Sequence, residues 1–269
     1  MHGFIRYSVL PAAMFLVGPA VAQYQPPQPP FYDRAIIEES GSEVVMRANG
    51  PRPLDQAVEG IRQQFGWQID YEDPPYGPRE LVDNTDPKWR ADHPTAKGVT
   101  RVAGGVFTTT FNLASKSEAA TSNEREAVLE KVVADYNQTG NPGRFVVKDE
   151  GRGRFSVVGI GLIEDDGRQR TINPILDAKI ELPFGEYVLG DAIEQILRLV
   201  SQRTGQRIAP GFGPTNIVVQ TKLKIGGEER SARELLSQAA SSGRFPLVWR
   251  LLYDGDSGGY FLALDMSMR

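Results

Sequence analysis

The feature that most constrains the fold is an apolar pattern that occurs twice along the chain. The segment Leu54–Ile61 aligns with Leu189–Ile196, and both follow the pattern Leu-x-x-Ala-[Val/Ile]-Glu-x-Ile. Apolar residues at this spacing predict a helix that packs one face against a core. Pro53 suits the first turn of the earlier helix, because a proline there loses no helical hydrogen bond. Gly66 and Gly205 predict the helix ends, which makes the second helix longer by about one turn.

Short apolar segments flank both helices. Val44–Ala48 predicts a strand before the first helix, and Trp67–Tyr71 predicts one after it. Lys179–Leu182 and Gln206–Ile208 occupy the same places around the second helix. The order strand–helix–strand therefore occurs in both segments.

The agreement continues downstream, where apolar residues alternate with polar ones. Alternation with period two predicts a strand with one buried face. The two predicted strands carry Phe107, Thr109, Phe111 and Leu113 in the first copy, and Val219, Thr221, Leu223 and Ile225 in the second.

A second helix follows each of these strands. Asn123-x-x-Glu126 and Ser231-x-x-Glu234 resemble capping boxes, in which two side chains bond the free N–H groups at a helix start. Each helix then leads to Gly-Arg-Phe, ending at Phe145 and at Phe245, and each phenylalanine is predicted to open a hairpin.

We therefore predict an α+β fold of two tandem βαββαββ units, each with two helices packed on small sheets. The predicted boundaries are a signal peptide at 1–22, a Pro-rich lead at 23–42, a first domain at 43–163 with an insertion at 72–104, a bridge at 164–177 and a second domain at 178–269.

Each unit resembles the short N-terminal domain shared by secretins and TonB-dependent receptors. The helix that ends in glycine, the capped second helix and the closing hairpin carry the resemblance. It covers Leu54–Tyr71 with Phe107–Val158, and Leu189–Ile208 with Val218–Leu264. The resemblance implies a periplasmic, non-catalytic module that mediates contacts between components of envelope machinery. The insertion at 72–104 departs from the family pattern.

The start of the chain predicts export. Arg6 precedes the apolar segment Tyr7–Val17, and Ala20-Val21-Ala22 matches a signal-peptidase site. The alternative is an uncleaved anchor, but a membrane span needs about 20 apolar residues and this segment is shorter. We expect a periplasmic or secreted protein with no integral membrane segment after signal cleavage.

Composition excludes several classes of function. The net charge of −4 argues against a nucleic-acid partner, because such proteins usually carry a basic patch. The chain has no cysteine, which rules out disulfides, thiolate metal sites and thiol nucleophiles.

The sequence also lacks the motifs of common catalytic sites. His93 is the one histidine outside the predicted signal, and it lies beside Pro94 in the insertion rather than at a strand end. A histidine metal site and a Ser-His-Asp triad are therefore not expected, and we predict no cofactor and no enzyme activity. The carboxylate doublets at 38–39, 72–73 and 165–166 leave open a carboxylate-dependent glycosidase.

The insertion supplies the best candidate for a binding surface, because aromatic and arginine side chains concentrate binding energy at interfaces. The candidate residues are Tyr76, Arg79, Trp89, Arg90 and His93. The alternative is that these aromatic residues only pack the long loop down.

The sequence thus favours an exported protein-interaction module in an envelope secretion, pilus or signalling assembly, with an envelope or periplasmic protein as its partner. The alternative is an exported glycan-binding protein or a carboxylate-dependent glycan-processing enzyme.

Overall fold

The computed structural model describes residues 34–113, 120–211 and 213–267. The predicted signal peptide and residues 23–33 of the lead lie outside this part of the chain. The described residues form six α-helices and fourteen strands in several small sheets, which confirms the α+β class.

The helices are α1 (Pro53–Phe65), α2 (Pro87–Asp92), α3 (Ser122–Asn137), α4 (Leu189–Thr204), α5 (Thr215–Gln220) and α6 (Ala232–Ser241). The strands are β1 (Ile36–Ser40), β2 (Glu43–Asn49), β3 (Gln68–Glu72), β4 (Leu81–Asp83), β5 (Thr100–Val102), β6 (Val106–Asn112), β7 (Arg144–Gly151), β8 (Arg154–Ile163), β9 (Gln169–Thr171), β10 (Lys179–Val188), β11 (Ile208–Pro210), β12 (Lys222–Ser231), β13 (Leu247–Asp254) and β14 (Gly259–Met266).

Residues 36–163, here called the first half, pack α1 and α3 between two sets of strands. On one side β2 pairs antiparallel with β6, and β1 pairs with the other edge of β2. On the other side β3 pairs parallel with β8, which pairs antiparallel with β7. The helices bury their apolar stripes in one core. In α1, for example, Leu54, Ala57 and Ile61 are fully buried there.

Residues 178–267, here called the second half, pair their strands in the same order and direction. β10 pairs antiparallel with β12, β11 pairs parallel with β14, and β14 pairs antiparallel with β13. The helices α4 and α6 contact each other and fill a second core. Leu189, Ala192 and Ile196 of α4 are buried in that core.

One sheet runs through both halves. Strand β3 of the first half pairs parallel with β13 of the second half, with Tyr71 opposite Arg250 and Glu72 opposite Leu251. The strand order is β11-β14-β13-β3-β8-β7, and β9 also pairs with β8. The two predicted domains are therefore joined by backbone hydrogen bonds within the sheet.

The structure corrects two predictions about helix and strand starts. The N-cap of α3 is Thr121, whose side chain and that of Glu124 form the capping box, so the predicted pair Asn123 and Glu126 is wrong by two residues. Val219 lies in α5 and Thr221 follows it, so neither belongs to a strand. Helix α5 forms there because Ile217 and Val218 pack against the second core.

Three further differences concern the hairpins and the connecting segments. Phe145 lies in β7 and is buried, but Phe245 is exposed, because Pro246 follows it and β13 begins only at Leu247. Strand β1 lies in the segment that was predicted to be lead. The insertion, predicted as a loop, contains α2 and the antiparallel pair β4–β5.

Candidate protein-binding site

The short helix α2 brings three of the five predicted surface residues together: Trp89, Arg90 and His93. Local sequence explains why a helix forms here. The carboxylate of Asp86 accepts a hydrogen bond of 2.8 Å from the N–H of Trp89, and Pro87 occupies the first turn. Both features favour a helix start, since they satisfy or remove free N–H groups.

An exposed aromatic pair lies on this helix. The rings of Trp89 and His93 stack with centroids 4.7 Å apart and planes 19° from parallel. Nδ1 of His93 lies 3.0 Å from the carbonyl oxygen of Trp89, which fixes the imidazole against the helix. Trp89 remains 39% exposed, so a flat aromatic surface faces solvent at a defined orientation.

Arg90 fixes the helix to the strand beside it. Its guanidinium forms an ion pair with Asp83 of β4 and donates a 3.0 Å hydrogen bond to Oγ1 of Thr85. Hydrogen bonds from Thr85 and the charge of Arg90 lower the pKa of Asp83 below its ordinary value. Arg90 therefore positions the aromatic pair.

The insertion is held by both halves of the molecule. The buried carboxylate of Glu80 accepts hydrogen bonds from the N–H groups of Gly77 and Gly143, at 2.9 and 2.7 Å. On the other side, the N–H of Thr100 donates to Asp256 in the β13–β14 turn, at 2.9 Å. The surface around Trp89 thus lies on a rigid support.

The other two predicted residues do not join this surface. Tyr76 is only 4% exposed, because its hydroxyl points inward and donates a 2.7 Å hydrogen bond to Oδ1 of Asp73. Burial, together with the charge of Asp73, raises the pKa of this phenol well above its ordinary value. Arg79 is exposed on the turn Pro78–Glu80, apart from α2 in the chain.

Sequence reasoning missed a group of buried ion pairs where β3 meets β13. Arg154 binds both carboxylate oxygens of Asp70 at 2.6 Å, and its Nη1 donates to the carbonyl oxygen of Leu247. Asp70 also accepts a 2.9 Å hydrogen bond from the N–H of Trp249. The signal in the sequence is a set of acidic residues, at 70 and 72 within the apolar strand β3 and at 73 directly after it.

A second ion pair crosses between the halves. Arg233 of α6 binds the buried carboxylate of Glu72 in β3 and donates to Oδ1 of Asp177 at 3.0 Å. Burial raises the pKa of Glu72 and outweighs the opposing charge of Arg233. A third pair lies nearby, with Nε of Arg52 at 2.6 Å from Asp73. These carboxylates are therefore bound to arginines within the protein.

Each carboxylate doublet left open by the sequence has at least one member that binds a partner within the protein. Glu72 and Asp73 are buried and bind different arginines, Arg233 and Arg52. At 38–39, Glu38 pairs with Arg47 and Glu39 accepts from the amide of Gln64. At 165–166, Asp166 pairs with Arg168 across a turn.

Within the described ranges, no three His, Asp or Glu side chains group closely enough to hold a metal ion. The helices in those ranges are also too short or too polar to cross a membrane.

Comparisons with protein-family models, with curated proteins and with solved structures return no match for this chain.

Proposed function

We propose that this chain is an exported, non-catalytic protein-interaction module that binds an envelope or periplasmic protein. We also propose that each half is related to the short N-terminal domain of secretins and TonB-dependent receptors, which it resembles in sequence. The proposal also places the protein in an envelope secretion, pilus or signalling assembly.

The observation that carries the proposal is the exposed pair Trp89 and His93 on α2. Large aromatic side chains that are held rigid bind partners at low entropic cost, because little side-chain freedom remains to be lost. The insertion is anchored to Gly143 in the first half and to Asp256 in the second, so α2 is part of a fixed surface.

The pairing of the two halves gives a second line of support. One half already recognises the other through the edge of β3, with backbone hydrogen bonds and ion pairs. Strand edges of this kind are a common means by which protein modules bind extended segments.

A capture experiment tests the proposal. The chain without residues 1–22 is immobilised, and envelope extract is passed over it. We expect one stoichiometric protein to bind to the parent chain, and binding to fall at least tenfold for Trp89→Ala combined with His93→Ala. Phe245→Ala is the matched control, because Phe245 is also exposed but lies in the second half, away from the insertion.

The outcomes separate the two functions that the sequence left open. Equal capture by the parent chain and the Trp89/His93 variant would argue against the α2 surface. Binding to purified cell-wall glycan in place of protein, or glycan cleavage that is lost when a single carboxylate is neutralised, would support the glycan alternative instead.

A further inference from the structure

An open groove runs between α4 and β11 in the second half. Its volume is about 650 Å³, and its lining includes Asp191, Glu194, Arg198, Ser201, Ile208 and Pro210. Strand β11 is at one end of the strand order, and among the described residues only β14 pairs with it. The outer edge of β11 therefore faces the groove.

The first half contains the counterpart of this groove, and there it is filled. Strand β13 lies against the outer edge of β3, with Arg250 opposite Tyr71. Nη1 of Arg250 lies 3.3 Å from Oδ2 of Asp55, a buried residue of α1. An arginine on an added strand thus meets a carboxylate on the neighbouring helix.

The helix ends show which residues correspond. The N–H of Gly66 bonds the carbonyl of Arg62, and the N–H of Gly205 bonds that of Ser201, both at 2.9 Å. Arg62 and Ser201 are therefore equivalent. Seven residues earlier along the same helices stand Asp55 in α1 and Glu194 in α4. This correspondence, counted from the helix ends, differs by four residues, about one turn, from the alignment of Leu54–Ile61 with Leu189–Ile196, because α4 has an extra turn before Gly205. Glu194 occupies the position of the carboxylate that binds Arg250 in the first half.

The strands agree with this correspondence. Each helix-ending glycine is followed three residues later by an isoleucine, Ile69 or Ile208. Ile69 pairs with Phe155 of β8, and Ile208 pairs with Tyr260 of β14, both in parallel strands. Two residues further, Pro210 stands where Tyr71 stands in β3.

The outer edge of β11 offers acceptors and no free donor. The N–H of Gly211 and the carbonyl of Arg207 bond β14, so residues 208 and 210 point outward by the alternation of a strand. The N–H of Ile208 donates to Oγ of Ser201 at 3.2 Å, and Pro210 has no N–H. The carbonyl oxygens of Ile208 and Pro210 face the groove together with two carboxylates, those of Asp191 and Glu194.

The groove is open because the small residue Ser201 stands at the position that Arg62 occupies in the first half. In the first half, the guanidinium of Arg62 fills the equivalent space and donates to the carbonyl oxygen of Ile69 at 2.6 Å. In the second half, Ser201 is too short to fill that space. Arg198 also lines the groove, but its guanidinium donates to the side chain of Gln195.

We propose that the α4–β11 groove binds an extended, arginine-bearing segment of a partner protein, whose guanidinium pairs with Glu194 and Asp191 as Arg250 pairs with Asp55. This rests on the proposed function, that the chain binds other proteins, and names a second site with its ligand chemistry. Because Pro210 removes one backbone donor, ion pairing contributes more to binding here than it does at the β3 edge.

A second copy of this chain is a poorer occupant. The exposed edge strand of the first half is β7, and it corresponds to β13 of the second half. Phe155 and Tyr260 are equivalent residues of β8 and β14, and they pair with Asp149 of β7 and Tyr253 of β13. By that register Val146 stands at the position of Arg250, so β7 brings no cation to that position. The amide of Asn137 also bonds both the N–H and the carbonyl of Phe145, at 3.0 and 2.8 Å, and occupies the edge of β7.

The natural occupant of the filled groove provides the probe. A fluorescein-labelled peptide with the sequence of residues 247–254 is titrated into the purified chain and followed by fluorescence anisotropy. A second peptide differs only in glutamate at the position of Arg250. The protein variant is Asp191→Asn combined with Glu194→Gln, and its matched control is Glu130→Gln, an exposed carboxylate on α3.

We expect the arginine peptide to bind at least tenfold more tightly than the glutamate peptide, and this preference to disappear in the Asp191/Glu194 variant but not in Glu130→Gln. We also expect binding to weaken as salt rises. The proposal would be overturned if neither peptide bound, if both bound equally, or if the preference persisted in the double variant. It would also be overturned if sedimentation showed self-association of the chain in place of peptide binding. Capture of an envelope protein through α2 is measured separately, so the proposed function stands or falls independently.

Discussion

Arg154 and Asp70 form a two-point ion pair, in which Nε and Nη2 of the guanidinium each lie 2.6 Å from a different carboxylate oxygen. Both side chains are almost fully buried, and Nη1 of Arg154 also bonds the carbonyl of Leu247 in the second half. Bidentate pairs of this kind are strongly oriented. The pair therefore sets how β8, β3 and β13 lie against one another.

Removing one partner of this ion pair should destabilise the chain strongly. In Asp70→Ala the guanidinium of Arg154 stays buried without a counter-charge, which costs about 3–5 kcal/mol in the free energy of unfolding. Urea denaturation measures the loss. Asp166→Ala is the control, since its ion pair with Arg168 is exposed and should contribute about 1 kcal/mol or less. Similar losses in both variants would contradict this description of the buried pair.

The two halves should unfold in one transition, because β3 and β13 share backbone hydrogen bonds. Leu54→Ala and Leu189→Ala each remove a fully buried side chain, one from each core, and each should cost about 2–5 kcal/mol. In both variants we expect a single calorimetric transition that moves to lower temperature as a whole. Two separated transitions, with only one moved by each substitution, would show that the halves unfold independently.

The capping box of α3 gives a smaller and sharper test. Oγ1 of Thr121 accepts from the N–H of Glu124, and the carboxylate of Glu124 accepts from the N–H of Thr121. Thr121→Ala should lower the free energy of unfolding by about 1 kcal/mol. Thr121→Ser keeps the hydroxyl and should restore most of it. Asn123, which lies inside the first turn and not at the cap, should tolerate alanine with little change.

The stability of the chain at acid pH should depend on Asp177. Burial raises the pKa of this carboxyl, but hydrogen bonds and charges from Lys148 and Arg233 outweigh it and hold the pKa below the ordinary 3.8. A lowered pKa in the folded state means that the ionised form stabilises the fold above the unfolded pKa, and that this contribution is lost as pH falls through the folded value.

The difference in unfolding free energy between the parent chain and Asp177→Asn should thus be largest near neutral pH and shrink below about pH 4. Lys148→Met removes one of the two cations and should reduce the same pH-dependent difference. Denaturation at a series of pH values measures both. A difference that stays constant from pH 7 to pH 3 would contradict the role assigned to Lys148 and Arg233.

Local patterns in the sequence were enough to predict most elements. The apolar spacing of α1 and α4 and the glycines at 66 and 205 predicted both helices and their ends, because periodicity and left-handed C-caps are local properties. Errors arose where a pattern fits two structures. Val219 and Thr221 continue the period of β12, but packing of Val218 on the second core favours a helix there.

Contacts between distant residues could not be predicted. The pairing of β3 with β13 joins residues about 180 positions apart, and nothing in either strand alone specifies the other. Tyr76 is predicted to be a surface aromatic because it lies in the insertion, but its ring is buried and its hydroxyl bonds Asp73. Trp89 and His93 are predicted as surface residues from their residue type and their place in the insertion, but the helix that stacks their rings one turn apart is not predicted.

Hydrogen exchange tests most directly whether this chain works by binding protein through α2. The intact chain is measured alone and saturated with the protein that it captures from envelope extract. We expect the amides of residues 88–93 to exchange at least tenfold more slowly in the complex, while those of β7 remain unchanged. Unaltered exchange over residues 88–93, with slowing elsewhere in the chain, would contradict the account.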